Sequence, residues 1–230
     1  MCLITFAYKS HPKYSLILAG NRDEFYGRPT RKATFWRDEN HPEILAGKDL
    51  EAGGTWLGVH KDGRWAALTN YRDPSIQKED PPSRGALVLD YLKYNQTAME
   101  YLDEIAPVAC EYNGFNLLLW DAKNFYHYCN HSKKVTIIKE GIHGLSNALL
   151  DTPWPKLTSA NQQLEKIVQA DNLNKERLFE LLSDDTLADE GELPVTGISK
   201  ELEKAISSIF IKTDRYGSRC STLLLIDKEG

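Results

Sequence analysis

Cys2-Leu3-Ile4-Thr5-Phe6-Ala7-Tyr8, directly behind Met1, is an apolar run with the composition of a β-strand. Its first residue is small, which is compatible with removal of Met1. Removal would leave a cysteine carrying both a thiol and a free α-amine. A model thiol has a pKa of about 8.5 and an α-amine one of about 7.7–8.0. An N-terminal nucleophile can therefore use its own amine as general base. Taken alone, Cys2 also reads as a small core residue of a terminal strand, since free cysteine is often buried.

A second apolar run over residues 14–20 follows the turn-like Lys9-Ser10-His11-Pro12-Lys13. The link is short enough for antiparallel pairing, which sets the start of the first run beside the end of the second. Asn21-Arg22-Asp23-Glu24 stands there. A solvated turn accounts for four polar residues at a strand end. The alternative is functional: a carboxylate could orient the α-amine, and an arginine could favour the thiolate.

Beyond this pair, residues 55–60 and 64–69 read as a hairpin around Asp62-Gly63. The segment between the pairs, 21–54, is polar and reads as a loop too long for an ordinary connection, and such loops are often functional. Residues 84–105 are helical, with Ala86, Leu87, Leu89 and Leu92 on one stripe and Thr97 and Glu100 matching a capping box. Strand signals return at 114–121, 124–130, 134–139 and 142–146. Thr152-Pro153 predicts a helix start with proline in the first turn, and Asn174 a cap for a further helix. Residues 184–197 form an acidic loop, 200–209 a short helix and 220–227 a last strand. Strands, helices, strands, helices and strand in that order imply packed α and β layers in one domain over 1–230. Asp227-Lys228-Glu229-Gly230 resembles a hairpin turn whose second strand is absent.

The chain has 230 residues, 41% hydrophobic and 27% charged, with a formal net charge of −5. That field disfavours non-specific binding to nucleic acid or anionic membrane. Cysteines at 2, 110, 129 and 220 form no CxxC pair and suggest no disulfide framework. No secretory signal opens the chain, and no apolar stretch approaches a membrane span. The expectation is a cytoplasmic protein without stable membrane insertion; oligomeric state is not legible.

Asn70 and Asn147 each end a strand, where asparagine is common. Their amide donors also suit an oxyanion hole, because they stabilise developing negative charge without a proton change. Arg219 precedes the last strand. Phe25, Tyr26, Trp56 and Tyr71 lie near these motifs and suit either the wall of a substrate pocket or the core. His127, Cys129 and His131 fall on one face of a strand. The outer pair would be about 13 Å apart, too far for all three to share a metal easily, so no metal site is expected.

Together these motifs resemble the NRDE family, also called transport-and-Golgi-organisation-two-like. The resemblance runs from Met1-Cys2 through Leu18-Ala19-Gly20-Asn21-Arg22-Asp23-Glu24-Phe25-Tyr26 and Gly53-Gly54-Thr55-Trp56-Leu57-Gly58 to Thr69-Asn70-Tyr71. It continues with Tyr112-Asn113-Gly114-Phe115, Gly144-Leu145-Ser146-Asn147-Ala148 and Tyr216-Gly217-Ser218-Arg219. It implies an α+β, four-layer αββα N-terminal-nucleophile (Ntn) hydrolase sandwich with two stacked antiparallel sheets. A more distant resemblance, to choloylglycine hydrolase and penicillin V acylase, implies roles for individual residues. Cys2 takes the nucleophile place, Asp23 that of an aspartate after the second strand, Asn70 and Asn147 those of oxyanion donors, and Arg219 that of a late arginine. One departure is visible. The hydrolases carry Arg-x-x-Asp, whereas here Gly20 holds the arginine place and Arg22 adjoins Asp23. Adjacent strand residues face opposite ways, so both can face Cys2 only if the backbone bends.

The resemblance implies a cofactor-free amidase or acyltransferase acting on a non-peptide C–N bond of a small-molecule amide or acyl substrate. The alternative is a non-enzymatic carrier of haem or another small ligand, since family members have been linked to haem trafficking and Golgi organisation. Members usually continue into a further strand, so the family pattern also implies a missing C-terminal strand.

Overall fold

The computed structural model describes residues 2–170 and 173–229. Met1 and Gly230, which bear on methionine removal and on the terminal turn, lie outside the described residues. Along the chain run β1 (Cys2–Tyr8), β2 (Tyr14–Phe25), β3 (Thr30–Trp36), β4 (His41–Asp49), β5 (Leu57–His60) and β6 (Trp65–Asn70). Then come α1 (Arg84–Lys93), α2 (Ala98–Ile105), β7 (Phe115–Trp120), β8 (Phe125–Cys129), β9 (Lys134–Ile137) and β10 (Gly141–Leu145). The chain closes with α3 (Pro155–Val168), α4 (Lys175–Leu182), α5 (Lys200–Ala205) and β11 (Tyr216–Asp227). These elements form two compact units, Met1–Gly27 with Lys139–Gly230, and Arg28–Ile138.

In the first unit a four-stranded antiparallel sheet has the order β10-β1-β2-β11. Leu3, Ala7, Ile17 and Ala19 project from one face onto α3 and α4. The helices answer with Leu157, Ala160, Leu164 and Ile167, and with Leu178, Leu181 and Leu182. The spacing of three and four residues puts each set on one helical stripe. Alternation along the strands sends Cys2, Ile4, Phe6, Leu18 and Arg22 to the opposite face.

In the second unit a seven-stranded antiparallel sheet runs β3-β4-β5-β6-β7-β8-β9. Leu87, Val88, Tyr91 and Leu92 of α1 and Leu102 and Ile105 of α2 cover Ala66, Leu68, Leu117 and Leu119. The capping box at Thr97 is formed in full: the Glu100 N–H donates to Thr97 Oγ1, and the Thr97 N–H donates to the Glu100 carboxylate.

Three sequence expectations are corrected here. Residues 21–54 are not a loop: they complete β2 and form the β3–β4 hairpin. The alternation there is faint because only Trp36, Ile44 and Ala46 of the two strands are buried. What holds the hairpin is Trp36, which is buried with its indole N–H donating to the Ala46 carbonyl at 2.9 Å. Arg31 and Lys48 lie over that ring and both bond Glu39. The helix expected from Pro153 begins at Pro155, with Trp154 as its cap. A residue before proline is driven out of the helical region; Trp154 has ψ 144°, and so no helix can pass through it. Arg219 does not precede the last strand but lies within β11, at a register shift between Ser218 and Cys220.

Candidate functional site

Asn21-Arg22-Asp23-Glu24 is not a strand-end turn. β2 continues through Phe25 because β11 pairs with it to its end: Arg22 faces Cys2 on β1 and Cys220 on β11, and beyond β1 Asp23 faces Ser218 and Phe25 faces Tyr216. Four polar residues thus sit in a central strand, and their partners explain how. The Asn21 side chain donates to the carbonyls of Leu182 (2.8 Å) and Ile209 (3.0 Å) and accepts from Ser221 Oγ (2.7 Å). It is a buried tie between β2, the end of α4 and the approach to β11. Asn21→Leu would leave those groups without a partner, and each buried unsatisfied group costs about 1–3 kcal/mol. The expected loss is roughly 3 kcal/mol, read as a lower urea midpoint at unchanged m.

Although β11 carries an irregularity opposite Arg22 and Asp23, the two side chains face opposite ways. Asp23 turns to the helical side. Its Oδ1 accepts from Ser218 Oγ at 2.6 Å. Burial pushes its carboxyl up, opposed by the ammonium of Lys156 and the Ser218 hydroxyl. Lys156 is itself buried in α3 and donates to the Ile206 carbonyl at 3.0 Å. Arg22 shares the other face with Cys2, and its guanidinium lies 3.6 Å from Glu24.

Asn147 comes from the opposite side of β1. β10 pairs with β1 in the register Ile4–Leu145 and Thr5–Gly144. The ladder ends at Leu145, and Ser146 and Asn147 follow it in a bend. The Ser146 hydroxyl lies 3.5 Å from the Cys2 carbonyl and 3.4 Å from Asn147 Oδ1. Cys2, Arg22 and Cys220 therefore lie side by side across the sheet, with neighbouring Cα atoms about 5 Å apart, and Asn147 follows Ser146 just past the end of β10. Cys2 and Asn147 are buried. Burial pushes the Cys2 thiol up to about 11, although the positive charge of Arg22 and a hydrogen bond from the Asp23 backbone work against it.

Arg219 sits one strand further out. Its guanidinium donates to the Phe25 carbonyl at 2.7 Å, toward the end of β2. There Phe25 meets Tyr216 edge-on at 5.2 Å and is 60% exposed. Tyr26 lies against Gly217, where a Cβ would fall 2.1 Å from its hydroxyl and 2.4 Å from the Ile211 carbonyl, so the YGSR motif needs a glycine for this contact. Asn70, Trp56 and Tyr71 belong to the second unit and are not among the residues this sheet gathers. Asn70 ends β6 opposite Phe115. Tyr71 stacks on His131 at 4.2 Å. His127 is buried against Asn116 Oδ1 at 3.0 Å, whereas His131 lies past the end of β8. Among the described residues no group of three or more His, Cys, Asp and Glu could hold a metal ion, and no helix is long and apolar enough to cross a membrane. Ser146, Ser218 and Lys156 are contacts that sequence reasoning missed. Ser146 and Ser218 flank motif residues, but nothing local marks Lys156.

The sequence profile of the Transport and Golgi organisation 2 family matches residues 1–230. The chain belongs to that family. The mouse Transport and Golgi organization 2 homolog is 37% identical over 251 residues, spanning all of this chain and 90% of the mouse protein. The human homolog is 36% identical with the same coverage, and the Drosophila Transport and Golgi organization protein 2 is 27% identical over 89% of its length. In structure the chain is similar to the Caenorhabditis elegans N-acylethanolamine-hydrolyzing acid amidase (NAAA) ortholog. The TM-score is 0.52 at 12% identity, over 79% of this chain and 86% of that one. This likeness shows the fold, that of an Ntn hydrolase, as the resemblance in sequence implied. In this member of the Transport and Golgi organisation 2 family the first strand of that fold opens on Cys2.

Proposed function

We propose that this protein is an N-terminal cysteine amidase or acyltransferase whose nucleophile is Cys2 after loss of Met1. The observation that carries this reading is Cys2 at the first position of β1, paired with Arg22 on β2 and met at its carbonyl by Ser146, the neighbour of Asn147. The mature α-amine takes the thiol proton as sulfur attacks the carbonyl carbon of a small-molecule amide. Negative charge develops on the carbonyl oxygen, where the Asn147 amide can donate to it. The C–N bond breaks, the leaving amine takes the proton from the α-ammonium, and a thioester remains on Cys2. Water, with the amine again as base, releases the acid, while a second amine in place of water would make the protein an acyltransferase. The sequence of steps balances without a cofactor.

Arg22 favours the thiolate from the face it shares with Cys2. Asp23, on the helical side with Ser218 and Lys156, holds the amine in this reading. Phe25 and Tyr26, partly exposed at the strand end, offer an apolar surface for the acyl chain. The similar C. elegans protein is named for hydrolysing an N-acylethanolamine, which is an amide of this bond class.

The test is intact mass combined with turnover on a panel of N-acyl amines. The expected result is loss of Met1, a mass increase of one acyl group confined to Cys2, and release of free amine. Active protein that keeps Met1 would overturn the mechanism. Haem titration of Cys2→Ala forms the opposing arm. Tight binding that survives the substitution, with no turnover on any amide, would point to a carrier, the role the relatives' trafficking names suggest.

A further inference from the structure

The loop that carries Asn147 is closed on itself by a second set of contacts. Asp151 N–H donates to the Gly144 carbonyl at 2.9 Å, and Gly144 N–H donates to Asp151 Oδ1 at 2.8 Å. Residues 145–150 are thereby pinched into a small ring with Asn147 inside it. Asp151 adopts φ 59°, a left-handed conformation that an aspartate tolerates better than most residues. The base of the ring is seated firmly. A Cβ on Gly144 would lie 2.5 Å from Leu157 Cδ1 and 2.6 Å from Asn161 Oδ1, so the β10 backbone packs directly on α3.

The other carboxylate oxygen of Asp151 is engaged by His143. His143 Nδ1 lies 2.7 Å from Asp151 Oδ2, and Nε2 lies 3.0 Å from the Lys139 carbonyl. Both partners can only accept. Both ring nitrogens must therefore donate, which requires the doubly protonated imidazolium. The charged groups around it are few. Lys9, past the end of β1, pairs with Glu140 at 3.9 Å. α3 brings Glu165 to the same cleft as Asp151. The Phe6 ring, 5.5 Å away on β1, is neutral.

We propose that the His143 imidazolium and Asp151 act as a clamp that holds the 145–150 loop closed and so positions Asn147 beside Cys2. His143 and Asp151 are positioning residues: neither touches the reacting atoms. The function of the clamp rests on the reading of Asn147 as an oxyanion donor, but its existence does not. The hydrogen bond to Asp151 holds the His143 pKa above its ordinary value. A raised pKa means the clamp is fully present below the ordinary histidine pKa of about 6.5 and is lost as pH rises through the folded value.

The test measures hydrogen exchange in residues 145–150, corrected for intrinsic rate, between pH 5.5 and 9, in wild type, His143→Gln and Asp151→Asn. Acylation of Cys2 by an amide substrate and its alkylation by iodoacetamide, which forms no oxyanion, are followed in parallel. Wild type is expected to keep protection to neutral pH and to lose at least about tenfold above the imidazolium pKa. Both variants should exchange fast at every pH. Acylation should fall by about 10²-fold in kcat at nearly constant KM, with alkylation unchanged. Protection that is independent of pH and equal in all three proteins overturns the clamp, and the wild-type pH series alone suffices for this if a variant fails to fold. A loop that opens as expected while acylation stays constant overturns the role of Asn147 and leaves the clamp standing.

Discussion

A chain that begins at Cys2 acylates its thiol roughly 10²–10⁴ times faster at neutral pH than one that keeps Met1, the range for one positioned general base. With Met1 in place the nitrogen of Cys2 is an amide and cannot take a proton. The thiol then depends on its own ionisation, and burial holds its pKa at about 11. Only about one molecule in 10⁴ carries thiolate at pH 7 under that condition. Removing Met1 supplies an amine one residue's width from the sulfur, with Arg22 on the same face of the sheet and Asp23 beneath. The comparison needs two preparations, one cleaved from a fusion to leave Cys2 first and one with an extra residue ahead of it. Both are mixed with an N-acyl amide and quenched for intact mass. Equal acylation rates would show that the α-amine takes no part. Cys2→Ala, in either preparation, should give no adduct. It removes only a sulfur atom from a buried site, so unfolding should shift by about 1 kcal/mol.

Asn147→Ala should lower kcat by about 10²–10³-fold, the cost of one lost oxyanion donor. Asn147 is buried just past the end of β10, next to the Ser146 whose hydroxyl lies 3.5 Å from the Cys2 carbonyl, and its amide is a neutral donor whose strength does not change with pH. The loss should therefore be the same across the pH profile, unlike that of His143→Gln. Burst kinetics on an activated acyl amide separate the steps: the acylation phase slows, while the amount of enzyme that can be alkylated at Cys2 is unchanged. If acylation is unaffected while alkylation is normal, Asn147 is a structural residue of the loop and the oxyanion is held elsewhere.

Much of the fold was legible because its signals are local. β1, β5, β6 and the strands from β7 to β10 lie where apolar runs and turn residues placed them, and the Thr97 and Asn174 caps form as read. The β3–β4 hairpin was hidden because only Trp36, Ile44 and Ala46 of its strands are buried, too few to mark a two-residue period. The start of α3 was misplaced by one proline, although Pro155 itself forbids a helix through Trp154. The short link between β1 and β2 already put Arg22 beside Cys2, whereas Asn147 lies past the paired part of β10, where no strand register reaches it.

The motif Asn21-Arg22-Asp23-Glu24 marks the limit between the two kinds of information. The sequence by itself determined that Cys2 opens the first strand, that a polar cluster lies at its side, and that adjacent residues of that cluster diverge. Those facts follow from strand periodicity and from a link too short to allow another pairing. Only the tertiary structure decided what each polar residue does. Asn21 became a buried tie because the carbonyls of Leu182 and Ile209, far away in sequence, come to its amide. Asp23 turned to Lys156 and Ser218, while Arg22 stayed with Cys2. A polar side chain in a central strand must find partners or lose several kcal/mol, and those partners come from elements that no local pattern can name.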